Sequence, residues 1–327
     1  MKIIVFGKDG QLGKAFRGLF DSILSASSCD DLTIAYAGRV ECDLSDVAAI
    51  TQILESFQPD LIINASAYTA VDKAETEVDL AYVVNARAPE VMAQFAAKNG
   101  ATFLHYSTDY VFDGSKCGSY VEDDLRNPLG IYGKSKAAGE EAIAKAFEKS
   151  TSGQYAIFRT SWVYGDGGNF IRTILRLAKD REELKIIHDQ HGVPTSADWL
   201  ARVSLSLALS NKCELNKFPS GIYHAVPDGE TTWHGLACLA VQSALDAGVA
   251  LKASPSAINP ILAVEYPLPA PRPMNSRMQT SKLKSALAKQ LADSYSSYND
   301  ATDASVFPAW DVMVQEYVAK LAAEGLI

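Results

Sequence analysis

The sequence predicts an α/β protein built on a doubly wound parallel sheet, with a smaller C-terminal cap. Three observations carry that prediction. The chain opens on a short apolar run, Lys2-Ile3-Ile4-Val5-Phe6, which leads directly into the glycine turn Gly7-Lys8-Asp9-Gly10-Gln11-Leu12-Gly13. Apolar runs of strand length then alternate with helical stretches, as a parallel sheet with right-handed crossovers requires. Finally, 327 residues, 48% of them hydrophobic, are enough to bury one large core or two intimate ones.

The first run is partly β-branched and continuously apolar, which marks a strand buried on both faces. After the turn, Leu12, Ala15, Phe16, Leu19 and Phe20 recur at helical spacing. Strand, glycine turn and helix in that order form the Rossmann-type fingerprint for a dinucleotide. Gly7 allows the tight turn, Gly10 lets backbone approach a pyrophosphate, and Gly13 lets the helix pack closely on the strand. Unpaired N–H groups at the helix start then face the phosphates. The spacing Gly-x-x-Gly-x-x-Gly points to the short-chain dehydrogenase variant of the motif.

A second strand is predicted at Leu32–Tyr36. An NAD site usually has Asp or Glu at this strand's end, about 20 residues after the turn. Here the strand runs into Ala37-Gly38-Arg39, and no carboxylate comes before Glu41. Arg39 could fork onto a 2′-phosphate, which favours NADPH over the alternative, NADH. Asp43 and Leu44 stand where such folds cover the adenine. A third strand, Asp60–Asn64, ends in Ala65-Ser66-Ala67-Tyr68-Thr69, small enough at its start for a cofactor to lie against the sheet edge. A helix is predicted from Glu77 to Lys98, closing at Asn99-Gly100. The strand Thr102–Tyr106 delivers Ser107, Thr108 and Asp109 to its carboxyl end, where doubly wound sheets bind ligands. A helix over Tyr132–Phe147, a strand over Tyr155–Arg159 and a strand near 221–225 complete the pattern. The expected division is a nucleotide-binding core at 1–165, regained at roughly 196–226, and a substrate-binding cap at 166–195 and 227–327. Pro255, Pro260, Pro267, Pro269, Pro271 and Pro273 punctuate that cap as irregular loops over a cleft.

Composition narrows the function. A net charge of −9 argues against a nucleic-acid groove and against anionic membrane surfaces. No apolar stretch is long enough to span a bilayer, and the N-terminus has no signal-peptide layout. The cysteines, Cys29, Cys42, Cys117, Cys213 and Cys238, are scattered without Cys-x-x-Cys and read as free thiols in a reducing cytoplasm. His188 and His191 are close in sequence but lack the partners of a metal site, so no metal is expected. A serine-hydrolase elbow is absent.

The chemistry is concentrated in Tyr132-Gly133-Lys134-Ser135-Lys136. Tyrosine and lysine four apart share a helix face. A phenol has an ordinary pKa of about 10, and a neighbouring ammonium draws it towards neutrality. Such a phenol exchanges a proton with an alcohol or alkoxide near pH 7.

With these motifs, Ser107–Gly114, Phe158–Tyr164, Asp189–Thr195 and Arg272–Arg277 make the whole chain resemble the dTDP-4-dehydrorhamnose reductase family of extended short-chain dehydrogenases. The resemblance implies a reductase that completes dTDP-L-rhamnose synthesis from a nucleotide-linked keto sugar. Thr108 would bond the C4 carbonyl oxygen, Tyr132 would protonate it as hydride arrives, and Lys136 would hold the nicotinamide ribose and lower the phenol pKa. Gly7, Gly10, Gln11, Leu12, Gly13, Arg39, Asp43, Leu44, Ala65, Ser66, Ala67, Tyr68 and Tyr106 would line the cofactor. Trp162 would lie beside the sugar or its nucleotide, with core filler as its other reading. Arg272 and Asn275 would approach the diphosphate or base, and Asp109, Asn169 and Gln190 complete the expected substrate contacts. Asn85 would orient a water, or else be a satisfied helix residue. Some members dimerise through Mg²⁺ held by glutamates. Ala15 stands where one glutamate would be and Asp198 where another might, so no Mg²⁺ bridge is expected, and a homodimer is left open. The stretch Ser294–Asp300 exceeds the family pattern and carries no assigned role. Reduction of another nucleotide-linked keto sugar is the runner-up. A non-catalytic subunit like the beta subunit of methionine adenosyltransferase is the reading from a different class.

Overall fold

The computed structural model describes residues 1–25, 31–294 and 306–327. Cys29 and most of the Ser294–Asp300 stretch lie outside them. The first half of the chain runs β1 (Lys2–Phe6), α1 (Gln11–Ser25), β2 (Thr33–Ala37), α2 (Val47–Phe57), β3 (Leu61–Asn64), α3 (Val71–Ala74), α4 (Val78–Tyr82), α5 (Ala88–Asn99), β4 (Thr102–Thr108) and α6 (Ile131–Phe147). It continues through β5 (Gln154–Thr160), β6 (Val163–Tyr164), α7 (Phe170–Asp180), β7 (Leu184–Ile187), β8 (His191–Gly192), β9 (Thr195–Ser196), α8 (Ala197–Ala208) and β10 (Gly221–His224). The last elements are β11 (Thr231–Thr232), α9 (Trp233–Asp246), β12 (Ile258–Ile261), α10 (Ser281–Ser294) and α11 (Trp310–Ala323).

The central sheet has the order β10-β5-β4-β3-β1-β2, with every pairing parallel. The chain goes from β1 outward to β2, then returns to the other side of β1 for β3. That reversal opens a crevice at the carboxyl ends of β1 and β3. Strand alternation divides the core between the two faces. Ile3, Val5, Leu61, Ile63, Leu104, Tyr106 and Phe158 pack with α1 and α8 on one side. Ile4, Phe6, Ile62, Phe103 and Ile157 pack with α2, α5 and α6 on the other. Each fully buried Ile, Leu or Phe contributes roughly 1.5–3 kcal/mol relative to exposure.

The predicted long helix over Glu77–Lys98 is interrupted. A π-helical turn, Val83–Arg87, separates α4 from α5. Such single-turn bulges often sit at functional sites, and this one carries Asn85. Close packing accounts for the glycine opposite it, since a Cβ on Gly139 of α6 would fall 2.2 Å from the Asn85 carbonyl oxygen.

A second apolar cluster joins α7, β7, α9, β12 and α11 through Ile174, Leu184, Leu236, Val241, Ile258, Val314 and Val318. It does not take in all of 227–327, because Leu283, Leu287 and Phe307 pack with the sheet instead. The helices begin where the sequence supplies capping side chains. Asp46, Asn169, Ser196 and Thr232 accept backbone N–H groups at the starts of α2, α7, α8 and α9. Among the described residues no helix is long and apolar enough to cross a membrane.

Candidate active site

The glycine turn forms as the fingerprint predicts. Gly7 has φ +85°, in the left-handed region, and an added Cβ would lie 2.8 Å from the backbone of Ala65 and Ser66. A Cβ on Gly13 would sit 2.1 Å from the Gly7 carbonyl oxygen, so α1 rests against the turn with no room for a side chain. The first N–H groups of α1 have no partner within the helix and open on the crevice. Gly7, Gly10, Arg39, Asp43, Leu44, Ser66 and Ala67 line one cleft there, beside Asp9, Cys42 and Val84. Gln11 instead lines a second cleft, with Gly165 and Ser196. A bare backbone cradle and a helix start together fit a dinucleotide.

Glu41, the first carboxylate after β2, is turned back on the protein. It accepts the Gly38 N–H at 2.8 Å and pairs with Lys8 at 3.3 Å. Asp43 accepts the Ser45 N–H and hydroxyl, each at 2.9 Å, which holds its carboxyl below the usual range. Arg39 is thus left as the cation at the mouth of the cleft.

Not every expected cofactor residue faces the crevice. Tyr106 points the other way: its ring stacks on Phe158 and its hydroxyl bonds Ser204 at 2.7 Å. Alternation along β4 is the reason, since Tyr106 shares its face with Leu104 while Ser107 shares that of His105. Only the Tyr106 carbonyl enters the site. Leu12 and Gly13 are buried within the first turn of α1, while Tyr68 is held through its backbone by Asn85. Asn85 also donates to Ser135 at 3.0 Å, so both ends of its amide have protein partners.

Thr108 closes β4, and Tyr132 and Lys136 occupy one face of α6. The start of α6 is fixed from another element. Gly130 has no capping side chain, and Glu75 Oε1 accepts the Ile131 N–H at 2.8 Å. Burial pushes the Tyr132 phenol up to about 12, against a pull from the neighbouring Thr108 hydroxyl, while the Asp109 charge pushes further up. Tyr110 stands edge-on to its ring at 5.4 Å. Lys136 is buried, and its Nζ donates to the Tyr106 carbonyl at 2.6 Å and meets His105 Nε2 at 3.2 Å. Burial lowers this amine to about 8.

Asp109 lies beside Thr108. Its Oδ1 accepts the Thr108 hydroxyl at 2.8 Å and its Oδ2 the Ser276 hydroxyl. Burial raises the carboxyl to about 6. Trp162 stacks on Trp233 with ring centroids 3.8 Å apart, and its backbone is left-handed at φ +47°. Gly192 leaves room for the indole: a Cβ there would come within 2.6 Å of it. Three of the remaining expected contacts hydrogen-bond within the protein. Asn169 caps α7 and bonds Tyr317 at 2.9 Å. Asn275 holds the Lys116 and Gly118 carbonyls at 2.7 Å each. Arg272 forks onto Asp72 at 2.6 and 2.9 Å, and Gln190 is buried. Ala15 and Asp198 line a common cleft with Lys14, Arg172 and Arg202. Among the described residues no group of three or more His, Cys, Asp or Glu side chains could hold a metal ion.

Two expectations are corrected. The Tyr132 phenol stands above its ordinary value, because burial outweighs any pull towards neutrality. The cysteines are not all free thiols: Cys42, Cys117 and Cys238 are free, but Cys213 is disulfide-bonded. Scattered spacing in the sequence says nothing about which thiols the fold brings together. Sequence reasoning also passed over His105, Asn64, Glu75, Asp72 and Trp233. A histidine inside an apolar strand that faces an asparagine at the next strand's end was a usable signal for the first two.

Fold and site together define an oxidoreductase of the short-chain dehydrogenase class, with a nicotinamide-type cofactor crevice. The family model "RmlD substrate binding domain" matches residues 1–305. The chain is 41% identical to dTDP-4-dehydrorhamnose reductase of Escherichia coli over 295 residues, 90% of this chain and 94% of that protein. It is likewise 41% identical to the Burkholderia thailandensis enzyme of that name, over 90% of this chain and 95% of that one. A crystal structure of a Clostridium acetobutylicum dTDP-4-dehydrorhamnose reductase superposes with a TM-score of 0.78 at 32% identity, covering 98% and 99% of the two chains. The Bacillus anthracis enzyme in complex with NADP gives 0.76 at 28% identity, covering 98% of each. This chain belongs to the dTDP-4-dehydrorhamnose reductase family and is an oxidoreductase.

Proposed function

We propose that the protein reduces the C4 keto group of dTDP-4-dehydro-L-rhamnose with NADPH, giving dTDP-L-rhamnose. The observation that carries this reading is the meeting of Thr108 and Tyr132 at the carboxyl end of β4, two strands from the glycine turn, in a chain whose relatives bear that enzyme's name. NADPH supplies the hydride. The cradle at Gly7, Gly10 and Gly13 takes the pyrophosphate, and Arg39 takes the 2′-phosphate that Glu41 is not placed to oppose.

Tyr132 gives its phenol proton to the C4 oxygen as negative charge develops there. A phenol held near 12 keeps its proton until an alkoxide forms, and it needs help to release it. Lys136 provides that help once its amine is charged and bonded to the ribose. Thr108 donates to the same oxygen after its hydroxyl turns from Asp109, a preorganised donor where the charge appears. Trp162, backed by Trp233, presents a flat apolar face to the sugar or base. The test is NADPH oxidation with dTDP-4-dehydro-L-rhamnose, with UDP-linked keto sugars in parallel. Turnover confined to a UDP-linked keto sugar would replace this substrate assignment.

A further inference from the structure

The unexplained group in this site is His105. It is fully buried in the middle of β4, and its two ring nitrogens have different partners. The hydrogen-bond pattern fixes which nitrogen carries the proton. The Ser66 backbone N–H and hydroxyl both point at Asn64 Oδ1. A backbone N–H can only donate, so the Asn64 amide has one allowed orientation. Its Nδ2–H₂ therefore donates to His105 Nδ1 at 3.1 Å, and Nδ1 must be the acceptor. The ring proton is left on Nε2, which faces Lys136 Nζ at 3.2 Å. An ammonium has three donors and no lone pair, so it cannot accept Nε2–H. A neutral amine can, and it still donates to the Tyr106 carbonyl.

Resting on the proposed cofactor reading, we infer that the Ser66–Asn64–His105 chain holds Lys136 as a neutral amine, and that cofactor binding is coupled to proton uptake at Lys136. His105 is a positioning residue here: it touches neither substrate nor cofactor. The ribose hydroxyls offer acceptors that the imidazole N–H does not, so the amine gains a proton when it engages them.

Around Lys136, burial also disfavours the ammonium, while the Glu140 charge opposes burial and favours it. From β4 come only His105 and the Tyr106 carbonyl. From α6 come Tyr132 and Glu140, and the Glu140 carboxylate is already bonded to Arg159 of β5 at 2.9 and 2.7 Å, with Arg126 at 3.4 Å. From β3 comes neutral Asn64, and Asp109, beyond β4, acts on Tyr132. Burial keeps His105 well below its ordinary value, so the ring is neutral.

The experiment is calorimetry of NADP⁺ binding at pH 8.5 in two buffers of different ionisation enthalpy, on the full chain and on His105→Gln. A glutamine can present an oxygen to Lys136, so the ammonium is tolerated before binding. The expected result is net proton uptake by the parent protein and at least a twofold smaller uptake by the variant. Binding without uptake, or equal uptake in both, would overturn the inference. Failure of NADP⁺ to bind the parent protein would instead overturn the cofactor reading beneath it. Independently, ¹⁵N-histidine spectra should show His105 as the neutral Nε2–H tautomer, and an Nδ1–H tautomer would refute the chain of donors.

Discussion

Glu75 reaches across from the end of α3 to accept the backbone N–H of Ile131 at 2.8 Å, and so supplies the cap that α6 lacks. The residue that follows is Tyr132. A carboxylate at a helix N-terminus satisfies an orphan donor and complements the helix dipole. Glu75→Ala should lower stability by about 1 kcal/mol and reduce kcat more than it weakens cofactor binding, because it slackens the helix end that aims the phenol. Denaturation midpoints, kcat and the NADP⁺ Kd in one variant check this. An unchanged kcat would separate the cap from the chemistry.

Tyr132→Phe removes the proton and leaves the ring. The rate should fall by roughly 10²–10⁴, the usual contribution of one positioned acid, while NADP⁺ still binds. Steady-state kinetics together with a binding titration distinguish this from a folding defect.

The buried pair Arg159–Glu140 lies beneath α6 with both side chains almost wholly out of solvent. Glu140→Ala strands the guanidinium and should cost about 3–5 kcal/mol. Arg126, whose side chain is one third exposed, can rotate into water and recovers little of that. Urea unfolding measures the loss.

Asp109 gives a pH dependence with a definite sign. Its carboxyl is raised from 3.8 to about 6 in the fold, so the folded state binds the proton more tightly than the unfolded chain. Its stabilising contribution is full below about pH 4 and is lost as pH rises through about 6, a change on the order of 3 kcal/mol at 1.36 kcal/mol per unit. Asp109→Asn should flatten stability between pH 4.5 and 7. Chemical denaturation at three pH values in that range would show the slope vanish, and a slope that survives would assign it to another group.

On the proposed reading, cofactor choice turns on Arg39. Arg39→Ala should weaken NADPH by about tenfold or more, the worth of a charge-assisted hydrogen bond, and leave NADH nearly unchanged. Equal losses for both would remove the 2′-phosphate from its role.

Most of the sheet was legible because parallel strands must be continuously apolar and their order follows from short crossovers. Lys2–Phe6 is the strand itself, and Thr102–Tyr106 and Tyr155–Arg159 lie in strands whose ends differ by at most two residues. The π-turn at Val83–Arg87 was not legible, since the element it packs against, at Gly139, is 54 positions from Asn85 by their numbers. The site divides in the same way. The glycine turn and Tyr132–Lys136 are local in sequence and could be read. Glu75 on Ile131, Asp72 on Arg272 and Asn64 on His105 pair residues far apart in the chain, and only the fold brings them together. The resemblance implies Asn169, Asn275 and Asp109 as ligand contacts, and the fold adds what the motifs do not show: their bonds to a helix start, loop carbonyls and neighbouring hydroxyls.

The most direct measurement is the oxidation of NADPH, and of NADH in parallel, with enzymatically generated dTDP-4-dehydro-L-rhamnose. Rapid loss of NADPH absorbance, with dTDP-L-rhamnose as the product, is the expected result. Cofactor binding with no oxidation would contradict it, and would move the assignment to another keto sugar or to a non-catalytic role.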